Sequence, residues 1–327
     1  MPIYASGLTI RRCRHRILDS YRLEEAIMTS HAARHTPDSP AAQPESHRSV
    51  PVVALDRDAA RSAIWVAVRP FTALLRETDD IGRLAAGTSW TVAETAAHVS
   101  TVLTAFSTAI TGQAQALTPN EYLHANFHTR LAATNAATIA MVDHTDAGQL
   151  AELITAGAQR FLEIAAAADP QMECETPWYG AARTRTPDCL TALALGELTV
   201  HGYDIATGTG RAWPISAEHA KLIVGTVCPQ MLPLAVRPEA ARGTSLTYEV
   251  RLRSDGPRYV ISVADGTAEV RAVGGPVDCV ISADPVTLLL VVYGRMSLGR
   301  ALLSGGILSW GRRPWLGLRL KKMFFNP

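Results

Sequence analysis

The chain has 327 residues, of which 47% are hydrophobic and 19% are charged, and its formal net charge is +1. This composition is typical of a soluble globular protein of about two domains, and the charge argues against nucleic acid or an acidic surface as a partner. Five widely spaced cysteines without a CxxC motif argue against a disulfide framework, so we expect a cytoplasmic location. No run reaches the roughly 18 apolar residues of a membrane helix, so no transmembrane segment is expected.

Residues 1–50 are predicted to be a disordered tail. Their stretch TSHAARHTPDSPAAQPESHRS is polar and short of large apolar side chains, so it cannot bury enough surface to offset its ordering entropy. The arginine-rich stretch 11–22 leaves binding to an acidic partner open, and Met28 is an alternative start.

Two long helices are predicted after this tail. The first covers about 56–78, and Pro70 within it predicts a kink or a break. The second begins at Thr91, where Glu94 three residues later completes a capping box, and it stops at Gly112.

Two further long helices follow, with another helical segment before them at about 120–142. The third long helix covers about 146–168. The fourth begins with Thr186 as its cap and Pro187 at its first position, and it ends near 208–210. Four helices of such lengths predict an up-down bundle.

The sequence after about residue 240 alternates apolar and polar residues, as strands do. Strands are predicted at SLTYEVRL, YVISV and DCVISA, and the DG pair at 265–266 is a hairpin signal. Asp284 and Pro285 predict the start of helices that continue to the end of the chain. The predicted fold is therefore α+β: a four-helix bundle followed by a smaller α+β domain with an antiparallel sheet. Its predicted parts are the tail at 1–50, the helical bundle at 51–213, a partly helical connection at 214–242 and the α+β domain at 243–327.

A carboxylate and an imidazole are predicted to face the interior of the bundle. In the stretch LGELTVHGYD, Glu197 and His201 follow the same helical spacing as Leu190, Ala194 and Ile205. A buried carboxylate is costly unless it is paired, protonated or bound to a metal. Because Glu and His four residues apart can point at one cation, the spacing indicates a metal site.

His98, near the middle of the second helix, is the predicted third ligand. Two imidazoles and one carboxylate suit zinc and leave one position open for water or a substrate. Asp204, one turn after His201, could orient an imidazole through its second nitrogen.

Other interpretations of these histidines stay open at this point. A Glu–His pair on a helix is usually a surface pair, and a core histidine bonded to a neighbour would explain His98 equally well. His124 and His128 have the same spacing in a more polar stretch, NEYLHANFHTR, and are the chief competing ligands.

Two motifs resemble the mycothiol-dependent maleylpyruvate isomerase family: SWTVAETAAHVS, and GELTVHGYDIATGTGR about a hundred residues later. The resemblance implies a DinB-like bundle in which His98, Glu197 and His201 hold a divalent metal, usually zinc. The stretches ADPVTLLLVVYGR and ALLSGGILSWGRRP resemble the sterol-carrier-protein-like domain that follows this bundle in the family.

The resemblance also implies an activity. Mycothiol would occupy the open metal position, and the cation would lower the pKa of its thiol. The thiolate would attack a small electrophile, giving cis–trans isomerisation or S-transfer. Arg295, in VYGR, matches an arginine motif of the family's second domain and is the predicted catalytic residue, since its fork suits a carboxylate; a surface arginine at a helix end is the alternative.

A non-catalytic carrier of lipids or small molecules, with the bundle as a scaffold, is the alternative function. The basic C-terminal stretch WGRRPWLGLRLKKMFF is predicted to be a terminal helix with a solvated face, and contact with a lipid surface stays open. The oligomeric state is not predicted.

Overall fold

The computed structural model of the chain describes residues 53–115 and 117–326. The predicted tail at 1–50 and the alternative start at Met28 lie outside the described residues. No helix in the described ranges is both long and apolar enough to span a membrane.

Five helices make up the first part of the described chain: α1 (Arg57–Arg76), α2 (Val92–Ile110), α3 (Phe127–Ile139), α4 (Ala147–Ala167) and α5 (Pro187–Gly208). Each begins at a side chain that accepts a hydrogen bond from an amide of the first turn, which satisfies a donor that the helix itself leaves free. These caps are Asp56, Thr91, Asn126, Asp146 and Thr186. The predicted capping box of Thr91 and Glu94 is confirmed.

The four long helices pack as a bundle, in which α1 and α2 each contact both α4 and α5. Large apolar side chains fill the interior, and each that leaves water stabilises the fold by roughly 2 kcal/mol; they include Ile64, Phe71, Leu103, Phe161, Leu190 and Leu195. Pro70 lies within α1, and the helix continues through it to Arg76. The predicted break at this proline is therefore wrong.

Short elements join the bundle to the rest of the chain. Two-residue strands β1 (Cys174–Glu175) and β2 (Thr184–Arg185) form an antiparallel pair just before α5. After α5 come α6 (Ala217–Met231) and the single turn α7 (Pro238–Ala241). Helix α6 packs against α5 of the bundle and against the helix at Pro285–Val292 in the second part of the chain.

The second part is a five-stranded sheet with short helices. Its strands are β3 (Ser245–Leu252), β4 (Arg258–Ala264), β5 (Thr267–Arg271), β6 (Cys279–Ala283) and β7 (Ile307–Trp310), in the spatial order β5-β4-β3-β6-β7. Helices α8 (Pro285–Val292) and α9 (Leu298–Leu303) separate β6 from β7, and α10 (Gly317–Leu320) follows. The α+β fold class is confirmed.

One pairing in this sheet was not expected from the sequence. Strands β3 and β6 run parallel, with Tyr248 opposite Cys279, whereas the other three pairings are antiparallel. The sheet is mixed because β6 does not continue the meander beyond β5 but returns to the other side of β3.

The basic C-terminal stretch was predicted to be one helix, and the structure confirms this only in part. Helical turns of changing type follow one another without a gap at Pro314–Leu316, α10 and Lys321–Met323, and the residues on either side of them are not helical. A backbone pairing explains why it ends in extended chain, because the amide of Phe325 donates to the carbonyl of Ala235 at 2.7 Å.

Candidate metal centre

Three predicted ligands converge between α2 and α5. The Oε2 atom of Glu197 lies 3.2 Å from Nε2 of His98 and 3.1 Å from Nε2 of His201. One ligand atom from each of the three residues lies within 4.8 Å of the others. The helical spacing explains this arrangement, because Glu197 and His201 are one turn apart on α5 and His98 faces them from α2. The structure thus brings together the residues that the sequence predicted.

A chain of contacts fixes the orientation of His201. Its Nδ1 atom lies 3.0 Å from Oδ2 of Asp204, which is fully buried. If Nδ1 carries the proton that bonds this carboxylate, the lone pair of Nε2 is directed at the centre. The predicted orienting role of Asp204 agrees with this geometry.

Arg295 reaches this carboxylate from the turn after α8. Its Nε donates to Oδ1 of Asp204 at 2.9 Å and its Nη2 donates to Oδ2 at 2.6 Å, while Nη1 donates to the carbonyl of Tyr293. The side chain of Arg295 is only 10% exposed. A bidentate pair of this kind is the strongest geometry that an arginine and a carboxylate can form. The predicted catalytic arginine is therefore bound within the protein to the residue behind His201.

The titration of the three residues reflects their burial and mutual charge. Burial alone would lower the pKa of His201, but hydrogen bonds and charges from Asp204 and Glu197 raise it to about 9. Burial lowers the pKa of His98 and outweighs the opposing effect of Glu197. Burial disfavours ionised Glu197, yet the two imidazoles hold the pKa of its carboxyl well below its usual range. Without a metal, a protonated His201 therefore accompanies a neutral His98 and a carboxylate.

The donor set fits a divalent cation. Both Nε2 atoms approach the same carboxylate oxygen, and only protons or a cation between these atoms can make such contacts favourable. The Nδ1 atom of His98 is buried and has no hydrogen-bond partner within the described ranges. Two imidazoles and one carboxylate are ligands that zinc commonly takes, with room for a further ligand. His98, Glu197 and His201 could hold such an ion.

Trp90 forms an aromatic wall beside these ligands. Its ring centroid lies 4.8 Å from that of His98 and 6.0 Å from that of His201, and the two imidazoles are nearly perpendicular to each other. Sequence reasoning noted Trp90 only as part of a motif and missed its position at the centre. Its place directly before the Thr91 cap was the available signal.

The competing histidines lie elsewhere. His128 stacks on Phe325, with ring centroids 5.5 Å apart and planes inclined by 5°, and His124 is exposed. Among the described residues, His98, Glu197 and His201 are the set of ligand atoms close enough to share a metal.

Comparisons with protein families cover both parts of the chain. Residues 61–206 match the mycothiol maleylpyruvate isomerase N-terminal domain, and residues 229–308 match the SCP-2 sterol transfer family. The chain therefore combines a mycothiol maleylpyruvate isomerase N-terminal domain with a domain of the SCP-2 sterol transfer family. His98, Glu197 and His201 fall within the first matched range and Arg295 within the second. None of the curated proteins compared with it is a significant match.

Solved structures are similar at low identity. A crystal structure of the mycothiol-dependent maleylpyruvate isomerase is 15% identical, with 78% of this chain and 93% of that chain covered and a TM-score of 0.46. The sec-alkylsulfatase Pisa1 from Pseudomonas sp. is 15% identical, with coverage of 59% and 36% and a TM-score of 0.29. The UbiJ-SCP2 ubiquinone synthesis protein is 16% identical, with coverage of 25% and 73% and a TM-score of 0.20. The assignment of the two domains therefore depends on the sequence-family matches.

Proposed function

We propose that this chain is a metal-dependent enzyme that uses mycothiol. His98, Glu197 and His201 would hold one divalent ion, with zinc as the best fit to two imidazoles and a carboxylate. The observation that carries the proposal is the convergence of their ligand atoms within 4.8 Å. The family match at residues 61–206 supports mycothiol as the thiol.

A bound divalent ion would supply a positive charge that lowers the pKa of a neighbouring thiol, so that a thiolate forms near neutral pH. The protein's own residues would set up this chemistry. Asp204 holds His201 in one orientation, and Arg295 holds Asp204. Trp90 covers the two imidazoles from one side and limits the access of water there.

The cysteines of the described ranges support the use of an added thiol. All four are buried. Burial raises the pKa of Cys189 to about 12, that of Cys228 to about 12 and that of Cys174 to about 11. Thiols with such pKa values are almost entirely protonated at neutral pH and are poor nucleophiles. The nucleophile of the proposed reaction would therefore come from the cofactor.

The proposed substrate is a small electrophile. Addition of the thiolate to a conjugated double bond would make that bond single, which permits rotation before the thiolate leaves again, so the net result is cis–trans isomerisation. Displacement of a leaving group by the same thiolate would give S-transfer. Arg295 would act mainly as a positioning residue, because direct contact with a substrate would require it to leave the buried Asp204.

A carrier of lipids or other small molecules is the second candidate function. The match of residues 229–308 to the SCP-2 sterol transfer family favours it, together with exposed apolar side chains such as Leu303, Trp315 and Leu318. A carrier has no need of three inward-facing ligands, which is why we favour the enzyme.

Metal content and thiol coordination test the proposal. The purified protein should contain about one zinc ion per chain, as three-ligand sites do. After cobalt substitution, addition of mycothiol should produce a sulfur-to-metal charge-transfer band. The absence of this band at saturating mycothiol, with cobalt confirmed present, would contradict direct coordination and favour the carrier.

A further inference from the structure

One buried positive charge outside the metal centre has no acidic partner. Arg185 lies on β2, directly before α5, and is only 7% exposed. None of the ion pairs formed within residues 53–115 and 117–326 involves it. Burial of an unpaired charge is strongly unfavourable. Arg185 is therefore expected to reduce the stability of the folded protein.

The guanidinium of Arg185 uses only some of its hydrogen-bond donors within the protein. Its Nη1 donates to the carbonyl of Thr184, and its Nε lies 3.3 Å from the sulfur of Met231, which is a weak acceptor. Its Nη2 is buried and has no hydrogen-bond partner among the residues that the structure describes. One of its three nitrogens, Nη2, therefore has hydrogen-bonding capacity that the described residues do not use.

Two further arginines lie in this region. Arg130 donates to the carbonyls of Ala125 and Tyr179 at 3.0 and 2.6 Å, and exposed Arg183 precedes Arg185 by two residues. Burial and the charge of Arg183 lower the pKa of both Arg130 and Arg185. The positive end of the α5 helix dipole lies next to Arg185. These positive charges would attract an anion.

An aromatic side chain lies against the guanidinium of Arg185. The ring of Tyr179 lies 5.5 Å from Cζ of Arg185 and stacks on Phe127 at 5.9 Å. This ring contributes a cation–π contact but no counter-charge.

We propose that Arg185 binds a carboxylate group of a small-molecule ligand. A single carboxylate would balance the one unpaired buried charge and accept a hydrogen bond from Nη2 of Arg185. A dianionic phosphate would need a second cation with free donors, whereas the terminal nitrogens of Arg130 already bind backbone carbonyls. The site uses none of the proposed metal ligands, so it goes beyond the proposed function and can be tested separately from it.

Thermal unfolding of the full chain in different anions tests this site. Acetate and succinate, each compared with chloride at equal ionic strength, should raise Tm by about 3 °C at roughly ten times Kd. Arg185→Met should abolish this rise. In chloride alone, Arg185→Met should unfold at the wild-type Tm or above it, because an apolar side chain replaces an unpaired charge. Arg300→Met, at an exposed arginine on α9, is the matched control and should respond like the wild type.

Other outcomes of these measurements would contradict the proposal. If the wild type shows no carboxylate-specific rise, or Arg185→Met retains it, the proposal is overturned. A larger rise with inorganic phosphate that also depends on Arg185 would overturn the carboxylate assignment. If Arg185→Met does not fold, Arg185→Lys keeps the charge but loses the fork; carboxylate binding should weaken about tenfold, and unchanged binding would again refute the site.

Discussion

The two ends of helix α5 handle buried charge in different ways. Near its C-terminal end, Asp204 is fully buried, and its negative charge is balanced by Arg295 and His201. Just before its N-terminal end, Arg185 is buried and forms no ion pair within the described residues. Since unpaired buried charge is unfavourable, the charge at one end is balanced within the protein, whereas the charge at the other end is the basis for the proposed ligand.

The largest effect should follow removal of a proposed metal ligand. His201→Ala should lower metal affinity by about a hundredfold or more, because even residues behind the ligands contribute tenfold to a hundredfold. Metal content after dialysis, measured by mass spectrometry, checks this. His128→Ala is the matched control and should retain the metal, since that ring stacks on Phe325. Full metal content in His201→Ala would remove the proposed site.

Replacing each of the two arginines by methionine tests whether their charges are balanced differently. Arg295→Met removes the bidentate partner of buried Asp204 and leaves only His201 beside it, so the free energy of unfolding should fall by about 3 kcal/mol. Arg185→Met should change it little or increase it. Urea unfolding measures the free energy of unfolding of both variants. Asp204→Asn combined with Arg295→Met should recover part of the stability that Arg295→Met alone loses, because both partners of the ion pair are removed together. Equal losses for the two arginine variants would show that both charges are balanced within the protein.

A smaller effect tests how tightly the C-terminal half of α5 is packed. A Cβ atom on Gly202 would lie 2.1 Å from the ring of Trp213, whose Nε1 donates to the carbonyl of Thr199 at 3.0 Å. Gly202→Ala should therefore destabilise the protein by about 2 kcal/mol through overpacking. Gly299→Ala, where no atom lies within 4 Å of the added Cβ, should be neutral or slightly stabilising. Thermal denaturation of both variants distinguishes local clash from a general helix effect.

The smallest effect concerns a third partly buried cation, Lys321. Burial and the charge of Arg237 lower the pKa of Lys321 to about 8, whereas an unfolded lysine titrates near about 10.4. Between these values the unfolded chain binds more protons than the folded chain, so the Lys321 contribution to stability rises with pH. Lys321→Met should lack this contribution. The free energy of unfolding of the wild type should therefore rise relative to that of Lys321→Met from pH 8 to pH 10. A constant difference would show that Lys321 titrates normally.

Local signals in the sequence predicted the helices and the convergence of the three ligands. The Thr91 cap fixes the phase of α2, and the one-turn spacing of Glu197 and His201 fixes their common face. Metal binding by these residues stays a prediction, as do the domain boundaries and a catalytic role for Arg295. Contacts between distant parts of the chain were not predictable: Arg295 pairs with a residue 91 positions earlier, and β6 joins β3 in parallel. Neither is encoded in a local pattern, since both depend on how the parts pack.

The ion pair between Asp204 and Arg295 has a consequence for the order of events during synthesis. The 91 residues between the two positions leave the ribosome over several seconds, at about 5 to 20 residues per second. During that interval a nascent bundle presents His98, Glu197 and His201 with an Asp204 that lacks its arginine partner. A fragment that ends near residue 213 would be left permanently in this condition. The arginine behind Asp204 and His201 is therefore a late product of translation, supplied only when the following domain has been made and has docked.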